Sequence, residues 1–194
     1  MLKVQIVRAA YSHIPEIAAS ARESDRQELH AIACVTPVEG LRISLEASCA
    51  AWTAMVNGSP VCMFGVCPEG VLAGVGVPWM IGTHELDKHP VTLLRRCRPF
   101  LAEMFKCCVL LQNYVDARNT TSIQWLKWLG FRIEEARPAG PFGLPFHRFE
   151  LRRGVFMGRD AINCYHVCIC LHPLTFGACA HYSRKARKEK EDDC

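Results

Sequence analysis

Thiols, imidazoles and carboxylates are where chemistry would reside in this chain of 194 residues, which holds 12 cysteines, eight histidines and 19 acidic side chains. A Cys-His-Asp hydrolase would need a cysteine beside His84, His89 or His147, and no motif sets them together. Five cysteines, Cys164, Cys168, Cys170, Cys179 and Cys194, fall in the last 40 residues, four of them interleaved with His166, His172 and His181. A zinc site could draw on Cys164, Cys168, Cys170, His172, Cys179 and His181, but the usual pair-loop-pair spacing is not reproduced, and no metal is assigned. Cys34, Cys49, Cys62, Cys97 and Cys107 have apolar neighbours and read as small buried hydrophobes. The acid-base candidates are Asp25 and Glu28 in a polar connection, Glu85 after the fourth strand, and Asp116 at the end of the fifth. For Asp116 the competing reading is an ion pair with Arg118 or a cap beside Asn119.

Composition narrows the classes. With 50% apolar and 22% charged residues the chain is an ordinary globular domain with an appendage, and not a disordered protein. A net charge of +4 is spread thinly along it, so no nucleic-acid-binding face is announced. The alternating start Met-Leu-Lys-Val-Gln-Ile-Val-Arg is too short an apolar run for an export signal. Cys164 to Ala180, interrupted by His166, His172 and Pro173, falls short of a membrane span. A cytosolic protein with reduced thiols is the expectation.

The elements that must position these groups follow from periodicity. Lys3 to Arg8 alternates as a strand does, and Ile14, Ile17, Ala18 and Ala21 repeat at helical spacing after Ser12 and Pro15. That helix is expected to end before the polar segment Arg22 to Glu28, and a second helix is expected over Leu41 to Ala51. Trp52 to Val56 and Val61 to Val66, around Asn57-Gly58, read as a hairpin. Leu72 to Ile81 is a further β run, interrupted by Gly74, Gly76 and Pro78. Leu93, Leu94, Cys97, Leu101, Met104 and Phe105 predict a long helix over Pro90 to Cys108, kinked or restarted at Pro99. Leu110 to Asp116 is a strand, Asn119 opens a helix that closes at Gly130, and Phe131 to Ala136 and Phe146 to Leu151 are the last strands, joined by Arg137 to Pro145. The order β-α-α-β-β-β-α-β-α-β-β is that of an α/β layer structure.

That order, with Tyr-Val-Asp-Ala-Arg-Asn-Thr-Thr-Ser-Ile-Gln-Trp-Leu-Lys-Trp-Leu-Gly-Phe at 114–131, resembles the Gcn5-related N-acetyltransferase (GNAT) superfamily. The superfamily's fourth-helix signature begins with Asn and closes with Gly-Phe, here Asn119 and Gly130-Phe131. Ser24 to Leu29, Pro60 to Val66, Pro78 to Thr83 and Asn113 to Phe131 are similar to the acetyltransferase-like internal virion proteins of short-tailed bacteriophages. The resemblance implies an acyl-CoA N-acyltransferase fold, a mixed central sheet with helices on both faces, over residues 1–153, followed by a Cys/His-containing tail at 154–194.

It also implies a site. Where the fourth strand splays from the fifth, free backbone groups would bind the pantetheine arm of acetyl-CoA, which puts Met80, Ile81, Gly82, Thr83 and Asn119 at the cofactor and Asp116 and Glu28 at the acid-base chemistry. The superfamily's Gly-rich phosphate loop corresponds here to Gly82-Thr-His-Glu-Leu-Asp-Lys-His-Pro90, with a single Gly, and its proton-donating Tyr corresponds to Leu126. The implied protein is therefore a phage acetyltransferase-like component with a degenerate acetyl-CoA site. It would act in the host cytoplasm or the virion interior, with virion or assembly proteins as partners. The alternative is an active N-acetyltransferase on an unknown amine.

Overall fold

A computed structural model describes residues 3–70, 74–88 and 95–160. Seven strands form one sheet in the order β1-β2-β3-β4-β5-β7-β6, where β1 is Val4–Arg8, β2 Ala50–Val56, β3 Ser59–Pro68, β4 Val75–Gly82, β5 Leu110–Asp116, β6 Arg132–Ala139 and β7 Leu144–Arg152. Every neighbouring pair is antiparallel except β4 and β5, which run parallel. The expected β2-β3 hairpin is present, and both turn residues have positive φ, Asn57 at 52° and Gly58 at 94°, as a two-residue turn of this hand requires. β3 is buried along nearly its whole length because it has helices on both faces, which is why it reads as an apolar run without alternation.

The helices are α1 (Ile14–Ala19), α2 (Glu23–Ala33), α3 (Pro37–Ala47), α4 (Glu85–Lys88), α5 (Phe100–Met104), α6 (Thr120–Leu129) and α7 (Arg153–Asp160). Ile14, Ile17 and Ala18 of α1 and Leu41 of α3 pack with Met63 and Ile81 to make one core. Leu101 and Met104 of α5, Trp125 of α6 and Phe156 of α7 pack with Trp52, Phe64, Leu111 and Phe149 to make the other, so β3 and β4 are covered from two sides. Among the described residues no helix is long and apolar enough to cross a membrane.

Three departures from the sequence reading have physical causes. The polar segment expected as a connection is helix α2. Its Asp25, Glu28, Leu29 and Ile32 share one face, and with two of the four being carboxylates, hydrophobic periodicity alone misses it. Acidic Glu23 and Asp25 suit its first turn, and Arg26 fastens it to α1 by donating to the carbonyls of Ala18, Ala19 and Ala21. α3 starts four residues earlier than expected because Thr36 and Glu39 form a reciprocal capping box around Pro37. The helix expected to kink or restart at Pro99 does restart there, with Pro99 at the start of α5. The Pro- and Gly-rich segment 137–145 is mostly strand: β6 and β7 extend into it, leaving a tight turn in which Gly140 and Gly143 have φ of 68° and 61°.

Candidate active site

β4 and β5 pair only at Val75 with Leu110 and Gly76 with Leu111, then diverge. The divergence follows from what faces the gap. Backbone groups alternate along an antiparallel strand, one residue facing β3 and the next facing away. The Thr83 N–H bonds to the Val61 carbonyl of β3, so Gly82, Met80 and Pro78 face β5. Pro78 has no N–H to offer, and its carbonyl accepts from Asn113 Nδ2 across the gap at 2.9 Å. Gly82 is fully engaged: its N–H donates to Asp25 Oδ2 at 2.9 Å and its carbonyl accepts from the Arg22 N–H at 2.9 Å. Met80 is left, among the described residues of β4 beyond Gly76, with both ladder groups turned into the splay.

A cavity of about 330 Å³ opens there, walled by both strands and by α2, α5 and α6. Arg22, Asp25 and Glu28 reach it from the start and the inner face of α2. Arg22 and Asp25, 5% and 7% exposed, form a two-pronged ion pair at 2.8 and 3.2 Å, and the guanidinium lies 5.1 Å from the centre of the Trp125 ring. This pair clamps α2 to the end of β4 and to α6. Burial pushes the Asp25 carboxyl above the ordinary range, against the lowering by Arg22 and by the Gly82 N–H.

Glu28 is the carboxylate with the most unusual setting. Burial raises it to about 7, a rise opposed by the hydrogen bond from Asn119 and reinforced by the neighbouring charge of Asp25. Asn119 Nδ2 donates to Glu28 Oε2 at 3.0 Å, while Asn119 Oδ1 caps α6 by accepting from the Ser122 N–H at 3.2 Å. One side chain thus starts the helix and aims the carboxylate. Of the roles read for Asn119 in the sequence, the cap is present, and its position at the β5-α6 junction also puts it in the cavity wall beside Glu28.

The other expected residues are placed differently. Asp116 lies beside the cavity, with its carboxylate accepting from Nε and Nη2 of Arg118 and from the Arg118 N–H, and these bonds hold it below the ordinary range. That arrangement gives it a turn-forming role and leaves Glu28 as the group able to take up a proton near neutral pH. Ile81 contributes its side chain to the cavity wall and turns its ladder groups to β3. The amides of Gly82, Thr83 and His84 bond to Asp25, Val61 and Ser20, so none of them is open to an anion. Glu85 sits on α4, paired with Lys88. Cys49 and Cys107 are exposed, against the expectation of burial, because each falls in a connection between a helix and a strand, whereas Cys62 is fully buried. Among the described residues no group of three or more His, Cys, Asp or Glu could hold a metal, and the cysteines and histidines considered for zinc lie outside them. Arg22, Trp79, Asn113 and Tyr114 were not legible as site residues, since only the splay brings them to one cavity.

No protein-family model matches the chain, and no curated protein does. Solved structures do. An aminoglycoside acetyltransferase in complex with coenzyme A aligns with a TM-score of 0.61 at 14% identity, over 81% of this chain and 99% of its own. A GNAT-family acetyltransferase from Streptococcus pneumoniae aligns with a TM-score of 0.56 at 16% identity, over 77% and 99%. The ribosomal-protein-S18-alanine N-acetyltransferase from Escherichia coli aligns with a TM-score of 0.54 at 14% identity, over 77% and 94%. At such identities the likeness speaks to architecture, and it agrees with the strand order, the single parallel pair and the splay: the chain has the GNAT acyl-CoA N-acyltransferase fold.

Proposed function

We propose that this protein is an acyl-CoA-dependent N-acyltransferase in which Glu28 is the base. The observation that carries the reading is a cavity in the β4-β5 splay holding a carboxylate raised to about 7 and aimed by Asn119. Acetyl-CoA, when bound, supplies the acyl group as a thioester. The Met80 N–H and carbonyl, facing the splay, fit the amide-rich pantetheine arm, whereas the spent amides of residues 82–84 assign no pyrophosphate contact to that stretch. An acceptor amine arrives protonated at neutral pH. Glu28 accepts one proton from the ammonium nitrogen, which frees the lone pair for attack, and a base with a pKa near the working pH does this most effectively. As the new C–N bond forms and the C–S bond breaks, the acylated nitrogen releases its second proton to solvent; Leu126 offers no acid for the departing thiolate, so that sulfur takes its proton from solvent.

Calorimetry with acetyl-CoA at near-millimolar concentration, together with acetylation of an amine panel, tests the reading. Heat on binding and turnover that Glu28→Gln reduces about 10²-fold or more are expected. The absence of both binding heat and a shift in melting temperature would overturn it.

The engaged amides at 82–84 and the lone Gly of the 82–90 segment favour a second reading, in which the fold serves as a non-catalytic component of a phage particle or its assembly. Beyond those features it rests on the sequence resemblance to internal virion proteins alone, since the structural neighbours reported above are acetyltransferases. Mass spectrometry of purified particles decides this reading, which fails if the protein is never found in them.

A further inference from the structure

The composition of the cavity wall selects among amines, and this step rests on the acyltransferase reading above. Three charged side chains line the cavity among the described residues, Arg22, Asp25 and Glu28. Arg22 is compensated by Asp25 in a buried ion pair and by a longer 3.5 Å contact to the half-exposed Asp87 outside the lining, so Glu28 is the lining carboxylate left to compensate one ammonium group. Apart from Ser44 of α3, the rest of the wall toward α2 and α3 is apolar or aromatic: Leu29 and Ile32 extend the helix face that carries Glu28, and Trp79 and Tyr114 stand on the two splayed strands. Trp79 is fixed by its Nε1–H, which donates to Ser48 Oγ at 2.8 Å, so its ring is a rigid wall. Tyr114 is half exposed at the edge of β5. Asp116, outside the lining, is held by Arg118.

A second or third ammonium group entering such a cavity would be stripped of water with no counter-charge, a penalty that one carboxylate cannot offset. An apolar body next to a single amine gains from the same wall, through burial and through a cation facing aromatic rings. We infer that the acceptor is a monoamine with an apolar or aromatic body, and that polycationic amines are rejected.

Steady-state acetylation by the full-length protein with acetyl-CoA tests this on matched acceptors: phenethylamine and hexylamine against spermidine and kanamycin. The monoamines are expected to exceed the polycations at least tenfold in kcat/KM, with KM falling as the alkyl chain lengthens from butylamine to hexylamine. Ile32→Glu, checked for folding by thermal melt, should narrow that ratio by adding a second carboxylate one turn from Glu28. Turnover of spermidine or kanamycin as efficient as that of the monoamines overturns the inference and leaves the acyltransferase reading standing. Acetyl-CoA binding without acylation of any amine in the panel overturns the acyltransferase reading, and the inference with it.

Discussion

Glu28 and Asn119 are 91 positions apart in the chain and 3.0 Å apart in the fold. Two pH effects follow from the raised carboxyl. Catalysis needs the ionised form, so kcat/KM should rise through about pH 7 and level off above it, and Glu28→Gln should remove the rise. Stability runs the other way. The unfolded chain ionises Glu28 near its ordinary value of 4.5 while the native state keeps the proton until about 7, so unfolding becomes progressively easier between those two values. The contribution is of order 3 kcal/mol at most, and urea titrations at pH 5 and pH 8 on wild type and Glu28→Gln should show the variant gaining relative stability at the higher pH. Asn119→Ala should lower both stability, by about 1 kcal/mol through the lost cap, and kcat, through the released carboxylate. A variant with full activity would remove the orienting role.

Helix α2 carries the site and is also what holds the splay in shape. Its N-terminal clamp joins Arg22 and Asp25 to the Gly82 amide and to Trp125, so neutralising Asp25 leaves the buried Arg22 with only a long 3.5 Å contact to the half-exposed Asp87. Asp25→Asn is expected to cost about 3–5 kcal/mol in denaturant unfolding, and adding Arg22→Met should recover part of it. A single-variant cost under about 1 kcal/mol would show that the clamp does not hold the element. At the other end of α2, the β6-β7 turn presses against it: a Cβ at Gly140, where φ is 68°, would stand 2.2 Å from the Ala31 carbonyl oxygen. Gly143 shares the positive φ but faces open space, so Gly140→Ala should destabilise by clearly more than the roughly 1 kcal/mol expected for Gly143→Ala. Equal costs would mean that the turn and helix are not in contact. The carboxylates that hide α2 from a periodicity reading are the same ones that line the cavity.

At the scale of the molecule, the domain's packing extends past residue 153. α7 delivers Phe156, 8% exposed, to the core beside Phe105 with ring centres 5.6 Å apart, and Phe156→Ala should cost about 3 kcal/mol. A negligible change in melting temperature would place the boundary back at 153. What the sequence alone determined is the local grammar. Asn57-Gly58 set the hairpin, Asn119 and Gly130 bounded α6, and Leu110 to Asp116 set β5, because turn chemistry, caps and strand alternation act over a few residues. The sequence also contained Glu28, Met80 and Asn119 as candidates, through resemblance. Tertiary structure decided which of them can act. The splay turns Met80 into the cavity while the clamp spends the Gly82 amide, and burial, which no single segment encodes, lifts Glu28 toward neutrality as Arg118 holds Asp116 down. Proton affinity and free backbone groups depend on what the rest of the chain places around them, and that is settled only when distant segments meet.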